Sequence, residues 1–350
     1  MSPKPKSRAT SSPASSRSFD KELAELEALS EALKSGTAPN SEQTEHLSKT
    51  LGHRNNFLVS KAAKLVAEAE LTALLPDILT AYDRFFIDPA TIDPKCWAKE
   101  ALAKALVKLG HRSKDAYLRG MRHHQMEASW GPPIDTAGVL RGTCTHALVD
   151  CPGISDADLL TALLEPLTDI DKTVRMEAAR AIGNVGGTSA ALLMRLRAML
   201  GPALHSDDEP EVLGAVYSSL LSLEGASAIP LVARALEAGD DTAAEAAFAL
   251  ADMRSAASLA ALLARLREGA DTWFTGVLLS AIALTRLPEA MDFLIATIAR
   301  NAREAPEAIE ALGRSAPSAE LGARVEQAVE QADSQRLRQA LREHLPPTPE

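Results

Sequence analysis

Apolar residues recur at three- and four-residue intervals along most of this chain, punctuated by polar corners, which is the pattern of amphipathic helices rather than strands. The clearest stretch runs from Leu159 to Gly187. Leu159, Leu160, Leu163, Leu164 and Leu167 outline one helix that stops at Thr168-Asp169, and Val174, Ala178, Ala181, Ile182 and Val185 outline a second. Gly186-Gly187 supplies a left-handed stop, and Asp171 stands where an N-cap carboxylate meets the positive helix end. The unit is a helix pair, and it recurs. Its small-then-large pair Ala181-Ile182 has counterparts at Ala105-Leu106, Ala147-Leu148, Ser219-Leu220, Ala249-Leu250, Ala281-Ile282, Ala311-Leu312 and Ala340-Leu341, 29 to 42 residues apart. A looser copy over Val59 to Ala67 brings the total to about nine. One helix pair cannot bury its apolar stripe alone, and a neighbouring pair covers it. The expectation is an all-α chain built as an α-solenoid over residues 19–345. Residues 1–18 are expected to form a disordered basic Ser/Pro tail, and 346–350 a short C-terminal tail.

Composition agrees with helices. The chain has 350 residues, is rich in Ala and Leu, and has only 4% aromatic residues, where a sheet would want Val, Ile, Thr, Tyr and Phe. Net charge is −10, and since Lys4, Lys6, Arg8 and Arg17 stand in the first eighteen residues without an acid, the folded body is more acidic still. Such a body repels polyanions on average. Cys96, Cys144 and Cys151 are too few and too scattered for a disulfide framework, which favours a reducing compartment, and the expected location is cytoplasmic. The N-terminus has no apolar core of a secretory signal, and the longest apolar candidate, Thr272 to Thr285, is too short for a membrane span. No membrane partner is expected.

Within the clearest copy, Pro166-Leu167, Asp169, Val174-Arg175, Ala178-Ala179, Ala181-Ile182 and Gly186 resemble the HEAT-repeat pattern of a first-helix Pro, a corner Asp and a Val-Arg start to the second helix. Pro76 and Pro230 echo the first of these, while the corner Asp and the Arg are mostly missing from the last four copies. The resemblance implies a right-handed solenoid of about nine HEAT-like pairs. It also implies that Asp169 and Arg175 belong to a ladder of polar contacts between layers. It brings two enzymatic relatives into view, HEAT-like DNA glycosylases and HEAT-type bilin lyases.

The repeat is least regular at residues 126–137, where Gly131-Pro132-Pro133 breaks helix and an extended loop carries Trp130. That tryptophan is a candidate for binding a partner. The alternative is a longer turn with its indole tucked on a neighbouring helix. From Lys95 to Arg122 stand eight basic residues against Glu100 and Asp115, and Lys95, Lys99, Lys104 and Lys108 are expected to step along one side of a helix. Lys95, Lys99, Arg112, Lys114, Arg119 and Arg122 are the candidate contacts of this stripe, for an acidic partner or a phosphate backbone. A solvated face with internal pairing is the alternative.

Catalytic readings find little support. His123 and His124 point about 100° apart on a helix and cannot share an ion, and no HxxxH or CxxC accompanies them or His111 and Cys96. Cys144-Thr145-His146 is contiguous, whereas a triad needs residues that face one another, and Cys144 matches a core position. No catalytic residue, cofactor or metal is expected. The expectation is a non-catalytic scaffold for a protein or peptide; the alternatives are nucleic-acid binding, pigment-lyase-like activity and self-assembly.

Overall fold

The computed structural model describes residues 13–200, 209–315 and 318–345, with side chains from residue 19 onward. Among the described residues the chain is all-helical apart from one two-residue strand pair, and it divides into two compact units, Met1–Ile154 and Ser155–Glu350. The expected tails fall largely outside the described residues, and the helical body begins at Pro13, before the expected residue 19.

The first unit contains α1 (Pro13–Lys34), α2 (Ser41–Leu51), α3 (Asn56–Glu68), α4 (Leu75–Arg84), α5 (Pro89–Ile92), α6 (Trp97–Lys108), α7 (Lys114–Met121) and α8 (Gly138–Ala147). Between α7 and α8, β1 (Met126–Glu127) pairs antiparallel with β2 (Ile134–Asp135). Here α3 packs on α6 and α6 on α8. The second unit contains α9 (Asp156–Leu167), α10 (Lys172–Val185), α11 (Gly187–Leu200), α12 (Pro210–Glu224), α13 (Ile229–Ala235), α14 (Asp241–Asp252), α15 (Ala256–Glu268), α16 (Thr272–Leu284), α17 (Pro288–Ala299), α18 (Ala305–Arg314), α19 (Ala319–Ala332) and α20 (Gln335–His344). Within it α10, α12, α14, α16, α18 and α20 each pack on the next.

The second helix of each pair lies inside its unit, because its small residues admit a close neighbour while its larger ones fill the seam. Ala105-Leu106, Ala147-Leu148, Ala181-Ile182, Ser219-Leu220, Ala249-Leu250, Ala281-Ile282 and Ala311-Leu312 are all buried. Asp171 caps α10 by accepting the Thr173 N–H at 2.8 Å, and Gly186 and Gly187, both at positive φ, end α10 and open α11. Pro76 and Pro230 sit in the first turns of α4 and α13, where a missing N–H costs nothing, whereas Pro166 lies in the last turn of α9. The three prolines are not equivalent. The run Pro210–Ala238 is long and apolar enough to cross a membrane, yet 61% of its most apolar window is buried inside the protein.

Gly120 marks the tightest crossing in the first unit. A Cβ there would overlap the Cys144 Sγ and the Tyr82 hydroxyl. Gly120→Ala is expected to lower stability by about 1–3 kcal/mol through overpacking. A urea midpoint equal to that of the wild type would mean that α7 shifts freely.

Candidate functional site

The first unit holds a polar network where a helical core would ordinarily be apolar. It starts at α6. Cys96 precedes the helix and cannot cap it, so the free N–H groups of Ala98 and Lys99 are met instead by Asp93, at 2.9 and 3.0 Å. The Asp93 carboxylate also accepts from Asn56 Nδ2 at 2.9 Å and from Lys99 Nζ at 3.0 Å. Lys99 Nζ donates in addition to the Phe85 carbonyl at 3.2 Å. Both side chains of this ion pair are 0% exposed.

Gln125 Nε2 carries the network to the hairpin, donating to the Asp93 carbonyl at 2.8 Å and to Glu127 Oε1 at 2.6 Å. The same Glu127 oxygen accepts from the Lys95 N–H at 2.7 Å and from Thr136 Oγ1 at 2.8 Å. At the other strand Asp135 accepts from the N–H groups of Gln125 and Ala137, both at 3.0 Å, from His124 Nδ1 at 2.9 Å and from Arg141 Nη1 at 2.6 Å. Arg141, also buried, donates to the His123 carbonyl at 3.1 Å. Burial alone would raise the Asp135 carboxyl, but its two backbone donors, His124 and Arg141 outweigh it and bring it down to about 2.

This depression has a consequence for pH. An unfolded aspartate has its ordinary pKa of 3.8, above the folded value of about 2. The stabilisation from Asp135 is therefore complete above about pH 4 and is lost as pH falls toward 2. Acid unfolding followed by circular dichroism should show a shallower decline over that window in Asp135→Asn than in the wild type. Equal slopes would remove Asp135 as a contributor.

The predicted basic stripe does not form. Lys99 is a correction: it points into the core as the partner of Asp93, because that buried carboxylate needs a cation. Lys95 precedes α6 in left-handed backbone, while Lys104 pairs with Glu100 and Lys108 with Glu70. Arg112 and Lys114 are exposed at the start of α7, and Arg119 and Arg122 are exposed near its end. Arg119 pairs with Asp83 and lies over the Tyr82 and Phe86 rings at 5.3 and 4.5 Å. The cations thus divide between two ends of the helices.

Trp130 is fully exposed, at 109% of its reference area, so the alternative of an indole tucked on a helix is wrong. The 126–137 segment is a short hairpin rather than a plain loop. Ser129 Oγ ties its tip, donating to the Pro132 carbonyl at 2.6 Å and accepting from the Gly131 N–H at 3.1 Å.

In the second unit Arg175 donates to the Asp169 and Ile170 carbonyls at 2.6 and 3.0 Å and pairs with Glu209, the residue before α12. It therefore bridges its own corner to the next pair. The Asp169 carboxylate itself accepts from the Asp171 N–H at 2.8 Å. Lys99 and Arg141 occupy the same place in their own helices, six residues before Ala105 and Ala147, as Arg175 does before Ala181. Each also follows an aspartate by six residues, Asp93, Asp135 and Asp169 respectively. That recurrent Asp-to-base spacing is the signal in the sequence for these buried cations, and it separates Lys99 from the surface lysines that share its charge.

Burial pushes the Cys96 and Cys144 thiols up to about 12, so both stay protonated at neutral pH. Cys144 lies 3.6 Å from the Tyr82 hydroxyl in the core. Among the described residues no group of three or more His, Cys, Asp and Glu side chains has the geometry to hold a metal ion. A cavity of about 460 Å³ between α1 and α3 is lined by charges of both signs, among them Glu27, Lys34, Lys61 and Glu68. What the network can do is mechanical: it fixes the base of an exposed hairpin.

No protein-family model matches the chain, and no curated protein matches it. Among solved structures, an engineered protein is 15% identical over 89% of this chain and 81% of its own, with a TM-score of 0.34. A likeness that weak carries no argument about fold or function.

Proposed function

We propose that this chain is a non-catalytic scaffold whose stacked helix pairs are layers of a right-handed, HEAT-like α-solenoid, and that it binds a protein or peptide partner through the hairpin between α7 and α8. The observation that carries this reading is the full exposure of Trp130 on a hydrogen-bonded hairpin. An indole held in water by an ordered hairpin has no folding role, and tryptophan is among the residues that dominate binding interfaces. The buried network under the hairpin supports it further, since a preorganised arm loses little entropy on binding. Met126 and Ile134, both exposed, add apolar area on the two strands of the hairpin. Three buried free thiols suit a reducing compartment.

Nucleic-acid binding is the weaker reading, because the basic residues from 95 to 122 are split between helix ends and partly spent on internal ion pairs. The test is affinity capture from the source cell with the wild-type chain and Trp130→Ala side by side. The reading predicts a protein retained by the first and lost by the second. Equal retention would remove the hairpin as the binding element.

A further inference from the structure

Beside the hairpin base, two consecutive residues without the freedom of glycine adopt left-handed backbone, Lys95 at φ 63° and Cys96 at φ 57°. Each such residue costs on the order of 1–3 kcal/mol and persists only where its surroundings hold it. Here they do. The Lys95 N–H is tied to Glu127, and the Asp93 and Pro94 carbonyls accept from Gln125 and Asn56, the latter at 2.9 Å. The consequence lies at the surface. The segment turns Lys95 back so that its Nζ stands 5.0 Å over the Trp97 ring, which is 42% exposed.

Trp97 continues into the Phe57 ring, 5.7 Å away, and Lys61 Nζ stands 5.6 Å from that ring. Neither the Lys95 nor the Lys61 ammonium forms an ion pair among the described residues. Lys64 and Lys114 share that trait, while Lys34, Lys49, Lys104 and Lys108 are paired; Lys95 and Lys61 differ in that each ammonium stands against an aromatic ring. Two unpaired ammonium groups on aromatic faces form a surface that asks for a carboxylate flanked by an apolar side chain.

We propose that the Lys95–Trp97 surface, together with Phe57 and Lys61, is a docking site for an acidic peptide segment, with a carboxylate on Lys95 and an adjacent aromatic or aliphatic side chain against Trp97. This rests on the reading of the hairpin edge as the binding edge and names the chemistry of its partner. Charge complementarity selects the occupant: a basic segment would meet two cations, and an uncharged one would leave them unused.

The experiment is selection of a displayed library of random short peptides on the full-length chain, followed by titration of the enriched peptides against variants. Enriched sequences should carry Asp or Glu beside an aromatic or aliphatic residue. Their affinity should fall about tenfold or more in Lys95→Gln and in Trp97→Ala, while Lys49→Gln, at an exposed pair on α2, leaves it unchanged. Lys95 contributes only its backbone N–H to the network, so Lys95→Gln should melt with the wild type, which separates lost binding from lost fold. No enrichment, enrichment without acids, or indifference to Lys95→Gln overturns the proposal. So does Lys95-dependent binding that is confined to phosphatidylserine vesicles or a single-stranded oligonucleotide. If peptide selection fails while Trp130→Ala still loses a captured protein, this inference falls and the hairpin reading stands.

Discussion

Replacing Lys99 with methionine is expected to destabilise the first unit by about 3–5 kcal/mol, the loss typical when one partner of a buried ion pair is removed. Among the described residues the ammonium is the only cation on the Asp93 carboxylate, and both groups are inaccessible to water. Methionine would fill the volume but leave a buried negative charge facing only the Asn56 amide and two backbone N–H groups. Asp93→Asn alone should also be harmful, since it strands the Lys99 ammonium and weakens the cap on α6. The double variant Lys99→Met/Asp93→Asn should recover part of the loss, because a neutral pair has no uncompensated charge. Lys104→Met is the surface control: its i,i+4 pair with Glu100 is exposed and should matter by no more than about 0.5 kcal/mol. Urea unfolding followed by tryptophan fluorescence would read all four, because Trp97 opens the helix in question. A Lys99→Met effect no larger than that of Lys104→Met would return Lys99 to the ranks of solvated charges.

Trp130→Ala is expected to act in the opposite sense. Its effect on folding should stay within about 0.5 kcal/mol, as for surface substitutions away from structural features. Its effect on a partner that docks on the hairpin should be about 2 kcal/mol or more, the range of an aromatic hot spot, or roughly thirtyfold in affinity. The two numbers together are the signature of a residue kept for binding rather than for the fold. Isothermal titration with the captured partner and a thermal melt of the same preparation would supply them. A melt lowered by several degrees would show that the indole packs in solution; unchanged affinity would show that it binds nothing on that partner.

Much of the helix order is legible along the chain because helix formation is local. Ala105-Leu106 and its counterparts as far as Ala311-Leu312 fall on buried, helical positions, while Leu341 of the last pair is only half-buried, since an apolar stripe at helical spacing has only the neighbouring helix to pack on. Asp171 at the start of α10 and Gly186 at its end were readable for the same reason: caps act on the nearest turn.

Charge was not readable in that way. Lys95, Lys99, Lys104 and Lys108 look alike as letters, yet one is strained over a tryptophan, one is buried on an aspartate six residues before it, and two are paired on the surface. What separates them is the direction each side chain takes from its helix and which carboxylate arrives there from another segment. Likewise the Gly-Pro-Pro break announces an interruption at residues 126–137, but that Gln125, Glu127, Asp135 and Arg141 meet under the hairpin while Trp130 faces water is set by the tertiary structure. The sequence by itself determined the helices, their period and their caps, because these follow from interactions within a few residues. The tertiary structure alone decided which charges are buried and which aromatics face water, because burial is set by segments distant along the chain.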